Sequence, residues 1–194
     1  SKQYKHIPGK PTSIPVNSIN SMLEDRFGNL WLATSGRQVL HFNKKIETFF
    51  DIAKSGKTAL DLCLDKDGMI WVGRQGGGIL KINPATLATT EDKRYSNLYA
   101  NLPHATVTAL YRDASNNIWY GSWDKILYRN NAFSNQEESF RQKGPFSFQN
   151  DEINCFAEDR WGRIWMGGKE KGLHVYDPSS QRFYNFRYDP SREG

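Results

Sequence analysis

The sequence predicts an all-β protein of the β-propeller class, with four four-stranded antiparallel blades forming part of a larger propeller. Three observations carry this. A Trp recurs four times at 40-, 48- and 46-residue spacing. An Asp and a Gly or Asn stand at constant distances before it. The intervening runs are short, rich in β-branched and aromatic residues, and broken by turn residues about every ten positions.

The anchors are Trp31, Trp71, Trp119 and Trp165. Six positions before each stands Asp25, Asp65, Asp113 or Asp159, and three before it Gly28, Gly68, Asn116 or Gly162. The residue before each Trp is aliphatic: Leu30, Ile70, Ile118, Ile164. An Asp side chain accepts from backbone N–H groups just downstream, and Gly or Asn tolerates a left-handed backbone, so the pair marks a tight turn between two strands. Two positions after each Trp comes Ala33, Gly73, Gly121 or Gly167, where neighbouring backbones are expected to approach closely.

Third strands follow, as in Gly78–Asn83 and Gly172–Asp177, and more variable fourth strands at Glu47–Asp51 and Arg182–Tyr188. Four antiparallel strands per repeat is the period of a propeller blade. The blades are placed at 16–51, 58–98, 105–144 and 152–188, with residues 1–10 as the outer strand of a preceding blade. Gly and Asn punctuation breaks any apolar helical stripe; a solenoid of β-coils is the weaker alternative. Both ends are cut mid-pattern, so the four blades are expected to be an arc of a longer chain, with apolar blade faces exposed and able to meet a second copy.

Composition fits a globular chain: 38% hydrophobic, 24% charged and 13% aromatic. The net charge of +5 is dispersed, with 26 basic residues interleaved among 21 acidic ones and no run of four or more Lys or Arg, only pairs such as Lys44-Lys45, which argues against nucleic acid as a partner. No apolar stretch reaches the roughly 20 residues of a membrane helix, so direct membrane insertion is not expected. Cys63 and Cys155 lie in non-neighbouring blades and are expected not to bridge.

Catalytic and metal motifs are missing. There is no Gly-x-Ser-x-Gly elbow and no His-Glu-x-x-His helix, and His6, His41, His104 and His174 share no spacing. Asp61, Asp65, Asp67 and Gly68 faintly resemble a calcium loop, but Cys63 occupies a ligand position. Gly56-Lys57-Thr58 ends like a phosphate loop, but Asp51 stands where its first Gly belongs. No catalysis, cofactor or metal is expected.

The repeats resemble those of the two-component regulator propeller family, in which a Glu-Asp-x-x-Gly-x-(Ile/Leu)-Trp core recurs. The first repeat, Leu23-Glu-Asp-Arg-Phe-Gly-Asn-Leu-Trp-Leu-Ala-Thr34, and the fourth, Ala157-Glu-Asp-Arg-Trp-Gly-Arg-Ile-Trp-Met-Gly167, match best. The third departs most, with Asn116 for Gly and Ser122-Trp123-Asp124 in place of a Gly-rich turn. The resemblance implies seven-bladed rings in the periplasmic part of inner-membrane hybrid two-component sensor histidine kinases. It also implies an oligosaccharide ligand and a role in controlling polysaccharide-utilisation genes, with the remaining propeller blades of the parent chain as intramolecular partners. A protein-interaction platform is the alternative.

In a four-strand meander the turns between first and second and between third and fourth strands share one end of the blade. The turns between second and third strands gather at the other, with the approaches at Asn17, His104 and Asn150. A sugar needs aromatic planes for its C–H face and fixed polar groups for its hydroxyls. On that second face the ligand candidates are Arg37, Arg74, Gln75, Trp123 and Lys169. The four anchor Trp residues are expected in the core, and Trp161, inside an Asp/Gly turn, at the surface.

Overall fold

The computed structural model describes residues 3–10, 12–36, 38–52, 56–91, 106–189 and 191. Among these the structure is all-β, with sixteen strands in four antiparallel sheets and no α-helix. The first sheet holds β1 (Ile19–Glu24), β2 (Leu30–Thr34), β3 (Gln38–Asn43) and β4 (Thr48–Asp51). The second holds β5 (Ala59–Leu64), β6 (Ile70–Arg74), β7 (Gly78–Ile82) and β8 (Thr89–Glu91). The third holds β9 (Val107–Arg112), β10 (Ile118–Ser122), β11 (Leu127–Asn130) and β12 (Glu137–Phe140). The fourth holds β13 (Ile153–Glu158), β14 (Ile164–Gly168), β15 (Leu173–Asp177) and β16 (Arg182–Phe186). Each is a simple meander of consecutive strands, the blade form that the period predicts. Positions 92–98 and 105, assigned from sequence to the second and third blades, lie outside the described residues, as do residues 1 and 2.

Residues 3–10, expected as the outer strand of a preceding blade, form no strand within this chain. A strand needs a ladder partner, and here side chains satisfy the backbone instead. The His6 N–H donates to Asn17 Oδ1 at 2.9 Å and the Ile7 N–H to Ser13 Oγ at 3.1 Å. Tyr4 packs edge-on to Phe42 and Phe49 with ring centroids 5.1 and 5.7 Å away.

The repeated Asp does more than shape a turn. In every blade its Oδ2 accepts the indole N–H of the anchor Trp six residues on: Asp25–Trp31 2.8 Å, Asp65–Trp71 2.9 Å, Asp113–Trp119 2.8 Å, Asp159–Trp165 2.9 Å. Its Oδ1 accepts the backbone N–H four residues on, from Asn29, Met69, Asn117 and Arg163. The left-handed position is filled by Gly28, Gly68, Asn116 and Gly162, at φ from 67° to 81°. Asp159 is driven down to about 2; burial opposes ionisation, but bonds from Trp165 and Arg163 outweigh it.

A second column, unnoticed in the sequence, caps the turn between the third and fourth strands. Asn43, Asn83, Asn131 and Asp177 each stand twelve residues after the anchor Trp. Each side chain accepts the N–H two residues on. Four residues further, Glu47, Leu87, Asn135 and Gln181 adopt positive φ from 50° to 60°.

The chain divides into two compact units, Ser1–Val107 and Thr108–Gly194. In the first, Trp31, Ala33 and Val39 of one sheet pack on Leu62, Val72 and Leu80 of the next. In the second, Trp119 and Leu127 pack on Ile153, Ile164, Met166 and Tyr176. The joint between blades repeats as well. The second residue of the first strand sends its side chain to the carbonyl that opens the next blade: Asn20 Nδ2 to Ala59 O at 2.7 Å, and Thr108 Oγ1 to Ile153 O at 2.6 Å. A register shift at Ile19/Ser21 brackets Asn20, and a bulge re-aims a side chain in this way. Trp165 is only half-buried, whereas Trp31, Trp71 and Trp119 are buried. Cys63 and Cys155 are both free thiols.

Candidate functional site

In the first, second and fourth blades the turn between second and third strands is tied back to the residue just before the first strand. The N–H groups of Ser35, Gln75 and Lys169 donate to the carbonyls of Ser18, Thr58 and Glu152 at 2.9 to 3.2 Å. This common anchorage brings these three turns together with their approach segments.

Of the sequence candidates, Arg37 lies outside the described residues, as does the approach residue His104. Arg74 is buried, at 3% exposure. Its guanidinium donates to Gly77 O and, from Nη1, to Glu91 Oε1 at 3.1 Å, holding the turn and the outer strand β8 together. Gln75 beside it is exposed. In the second unit Trp123 is 39% exposed at the tip of the β10–β11 turn. That turn and the β14–β15 turn are joined by Lys125 Nζ and Glu170 Oε2 at 2.5 Å. Lys169 is exposed and pairs with Glu152 at 3.1 Å. Asn17 and Asn150 are occupied as acceptors, from His6 and from the Gln142 N–H at 2.7 Å. Trp161 is surface-exposed, with the guanidinium groups of Arg160 and Arg163 4.1 and 4.8 Å from its ring centroid.

A buried polar cluster that sequence reasoning missed lies under the 168–172 turn. Asp151, fully buried, accepts the N–H groups of Glu152, Glu170 and Lys171 and faces His174 Nε2 at 3.1 Å. Asn185 Nδ2 lies 3.3 Å from His174 Nδ1 and donates to Lys171 O at 2.8 Å. Burial raises the Asp151 carboxyl, but the bonds from His174, Lys171 and Glu170 prevail and hold it below the usual carboxylate range. Burial also pushes His174 below 6.5, against the pull of Asp151. A neutral His174 therefore donates from Nε2 to Asp151 and accepts Asn185 at Nδ1. Both ring nitrogens are used internally, so the pair orders the 168–172 turn.

A pH dependence follows. Because the folded pKa of His174 is depressed, its contribution is complete above pH 6.5 and is lost as the pH falls towards the folded value, where the unfolded chain binds the extra proton. Stability of the second unit is expected to drop by up to about 1.4 kcal/mol per pH unit in that window. Urea titrations between pH 7.5 and 5 check this; in His174→Gln the slope is expected to flatten.

Among the described residues no group of three or more His, Cys, Asp or Glu could hold a metal ion. No helix among them is long and apolar enough to cross a membrane.

The four meander sheets define a propeller-type repeat protein, in which each blade has one regular, clamped end and one varied, polar end. The family described as "Two component regulator propeller" matches residues 13–36, 101–124 and 147–170, the first, third and fourth repeats. Those three segments are therefore similar to this repeat, and they include the third, which departs most from the pattern. Among solved structures it is similar to the extracellular domain of a protein described as a hybrid two component system, BT3049 from B. thetaiotaomicron. The TM-score is 0.74 at 17% identity over 97% of this chain and 24% of that one. It is also similar to virginiamycin B lyase from Staphylococcus aureus, with TM-score 0.71 at 11% identity over 99% of this chain and 61% of that one. A third likeness is to PorZ, a surface component of the type-IX secretion system of Porphyromonas gingivalis, with TM-score 0.69 at 12% identity over 99% and 30%. At these identities the likeness is one of fold, which a two component system domain, a lyase and a secretion component share. The chain spans about a quarter of the BT3049 domain. No curated protein matches it.

Proposed function

We propose that this chain is an extracytoplasmic, ligand-sensing propeller segment of a hybrid two-component sensor, that it lies in the periplasm, and that its ligand is an oligosaccharide. The observation that supports this most is the family match on three of the four repeats, on a fold shared with the extracellular domain of a hybrid two component system. The exposed Trp123, on a turn braced by Lys125–Glu170, supplies a held aromatic plane of the kind a sugar face requires. Arg74, being committed to Gly77 and Glu91, serves the shape of its turn rather than the ligand. A sensor needs only a difference in ligand affinity between two arrangements of the whole receptor, so affinities of ordinary strength suffice.

Calorimetric titration with a panel of plant and host oligosaccharides tests this. One glycan class is expected to bind saturably, and Trp123→Ala to weaken it at least tenfold, about 1.4 kcal/mol. A well-folded chain that binds no glycan in the panel would overturn the sensor reading in favour of a protein-interaction platform.

A further inference from the structure

The segment between β12 and β13 folds against the outer strand β16. The Phe183 N–H donates to Phe146 O at 2.9 Å. Ser147 Oγ accepts from the N–H groups of Lys143 and Gly144 at 2.8 and 3.0 Å and donates to Gly144 O at 2.6 Å. This pinned loop holds Phe146 with 50% of its surface in water. The Arg182 guanidinium lies 4.9 Å from its ring centroid, and Tyr184 meets it edge-on at 6.1 Å. Exposed Tyr184 and Phe186 line a cleft with it, and a group of exposed aromatics, unlike a single one, points to a contact site.

Phe146 is a wall between two clefts, both within the second unit. One encloses about 380 Å³ over a floor that includes Phe148, Tyr176 and Phe183. Its lining carries three cations, Arg129, Arg141 and Lys143, against one carboxylate, Glu138. Glu138 is spent on Arg129 at 2.6 Å, while Arg141 and Lys143 make no ion pair with any described residue. The other encloses about 590 Å³ and is lined by Tyr184, Phe186, Gln142, Gln149, Asn185 and Arg187. Asn185 is spent on Lys171, His174 and Arg187, and Gln149 Nε2 on Ser147 O, which leaves the Gln142 amide and Gln149 Oε1 for a ligand. Both volumes fall in the range of small-ligand sites.

We propose that this double cleft is a binding groove for an acidic oligosaccharide. It rests on the oligosaccharide reading above and adds a site and a ligand class to it. The carboxylate of a uronic acid unit meets Arg141 and Lys143 in the first cleft, where the charge is otherwise uncompensated. The C–H faces of adjoining units lie on Phe146 and Tyr184, and their hydroxyls meet the Gln142 amide and Gln149 Oε1 in the second cleft. A neutral glycan leaves the cations unused, and an apolar peptide leaves the amides unpaired, so the combination selects for an acidic sugar chain.

The 194-residue chain is titrated calorimetrically with tetragalacturonate, a hyaluronan tetrasaccharide and trimannuronate, and with carboxyl-reduced tetragalacturonate as the neutral control. At least one acidic oligosaccharide is expected to bind, with its carboxyl-reduced form at least tenfold weaker and with affinity falling as salt rises from 50 to 500 mM. Phe146→Ala is expected to abolish binding, and Arg141→Gln with Lys143→Gln to remove the preference for acid and the salt dependence. These side chains are exposed, so folding is expected to survive, and unchanged circular dichroism verifies it. Binding of an acidic oligosaccharide that ignores Phe146 overturns this groove, and binding of any glycan class through Trp123 still leaves the sensor reading standing. Binding of no saccharide overturns both. Dimerisation in sedimentation that Phe146→Ala abolishes assigns the groove to a second copy and also overturns it.

Discussion

Replacing Asp113 by Ala is expected to destabilise the second unit by about 3–5 kcal/mol, from hydrogen bonding alone. The Asp113 carboxylate accepts the Asn117 N–H at 2.8 Å, Asn117 Nδ2 at 2.9 Å and the Trp119 indole N–H at 2.8 Å. Trp119 is 1% exposed, so its N–H has no route to water once the carboxylate is gone. Each donor stranded in this way costs about 1–3 kcal/mol. Asp113→Asn keeps the shape but offers a single acceptor oxygen, so about half the loss is expected. Urea denaturation of both variants, followed by far-ultraviolet circular dichroism, separates the cases. Equal midpoints for Asp113→Ala and the parent would show that the indole bond carries no stability.

The second large effect is steric. A Cβ on Gly121 would sit 2.7 Å from Ile153 Cβ and 3.0 Å from Ile153 O, where the third and fourth blades touch. The carbonyl of Ile153 also accepts from Thr108, so this stretch of backbone is held and cannot retreat cheaply. Gly121→Ala is expected to cost at least about 2 kcal/mol and Gly121→Val more, beyond the usual 1–3 kcal/mol of an overpacked core. Gly144→Ala is the control: nothing lies within 4 Å of its Cβ, and a change within about 0.5 kcal/mol is expected. Thermal melts of the three variants test the ranking. A Gly121→Val chain as stable as the Gly144→Ala chain would mean that the blades do not meet at this glycine.

The two cases differ in what could be foreseen. The small residue after each anchor Trp was legible as a close approach, because only backbone spacing is at stake. The Asp was legible as a turn residue, because an Asx turn is a local device, but its bond to the indole was not. That bond requires the second strand to return alongside the first in a particular register. The Asn column twelve residues after each Trp had a signal of the same quality as the Asp column. Asn43, Asn83, Asn131 and Asp177 could have been aligned directly.

The site was less legible than the scaffold. Gln75, Trp123 and Lys169 are exposed on turns as their composition suggested, while Arg74, chosen by the same reasoning, is buried and tied to Gly77 and Glu91. Side-chain type does not reveal burial at the end of a strand, where one turn of backbone decides whether a long cation lies outward or folds under. Asp151 and His174 stand 23 residues apart and belong to no repeated column. Their pairing arises only when the approach to β13 passes beneath the β14–β15 turn.

By itself the sequence determined the class of fold, the number of blades, the strand-bearing hairpins and the residues that turn the chain. These are written in periodicity and in local backbone chemistry, both of which act over a few residues. Tertiary structure alone decided which polar groups are consumed internally and which face solvent. It committed Arg74, Asp151 and His174 to their neighbours, and it left Phe146, Arg141 and Lys143 around an open cleft. The reason is physical: burial and partnership depend on segments distant in sequence arriving at the same place, and no local pattern records that meeting.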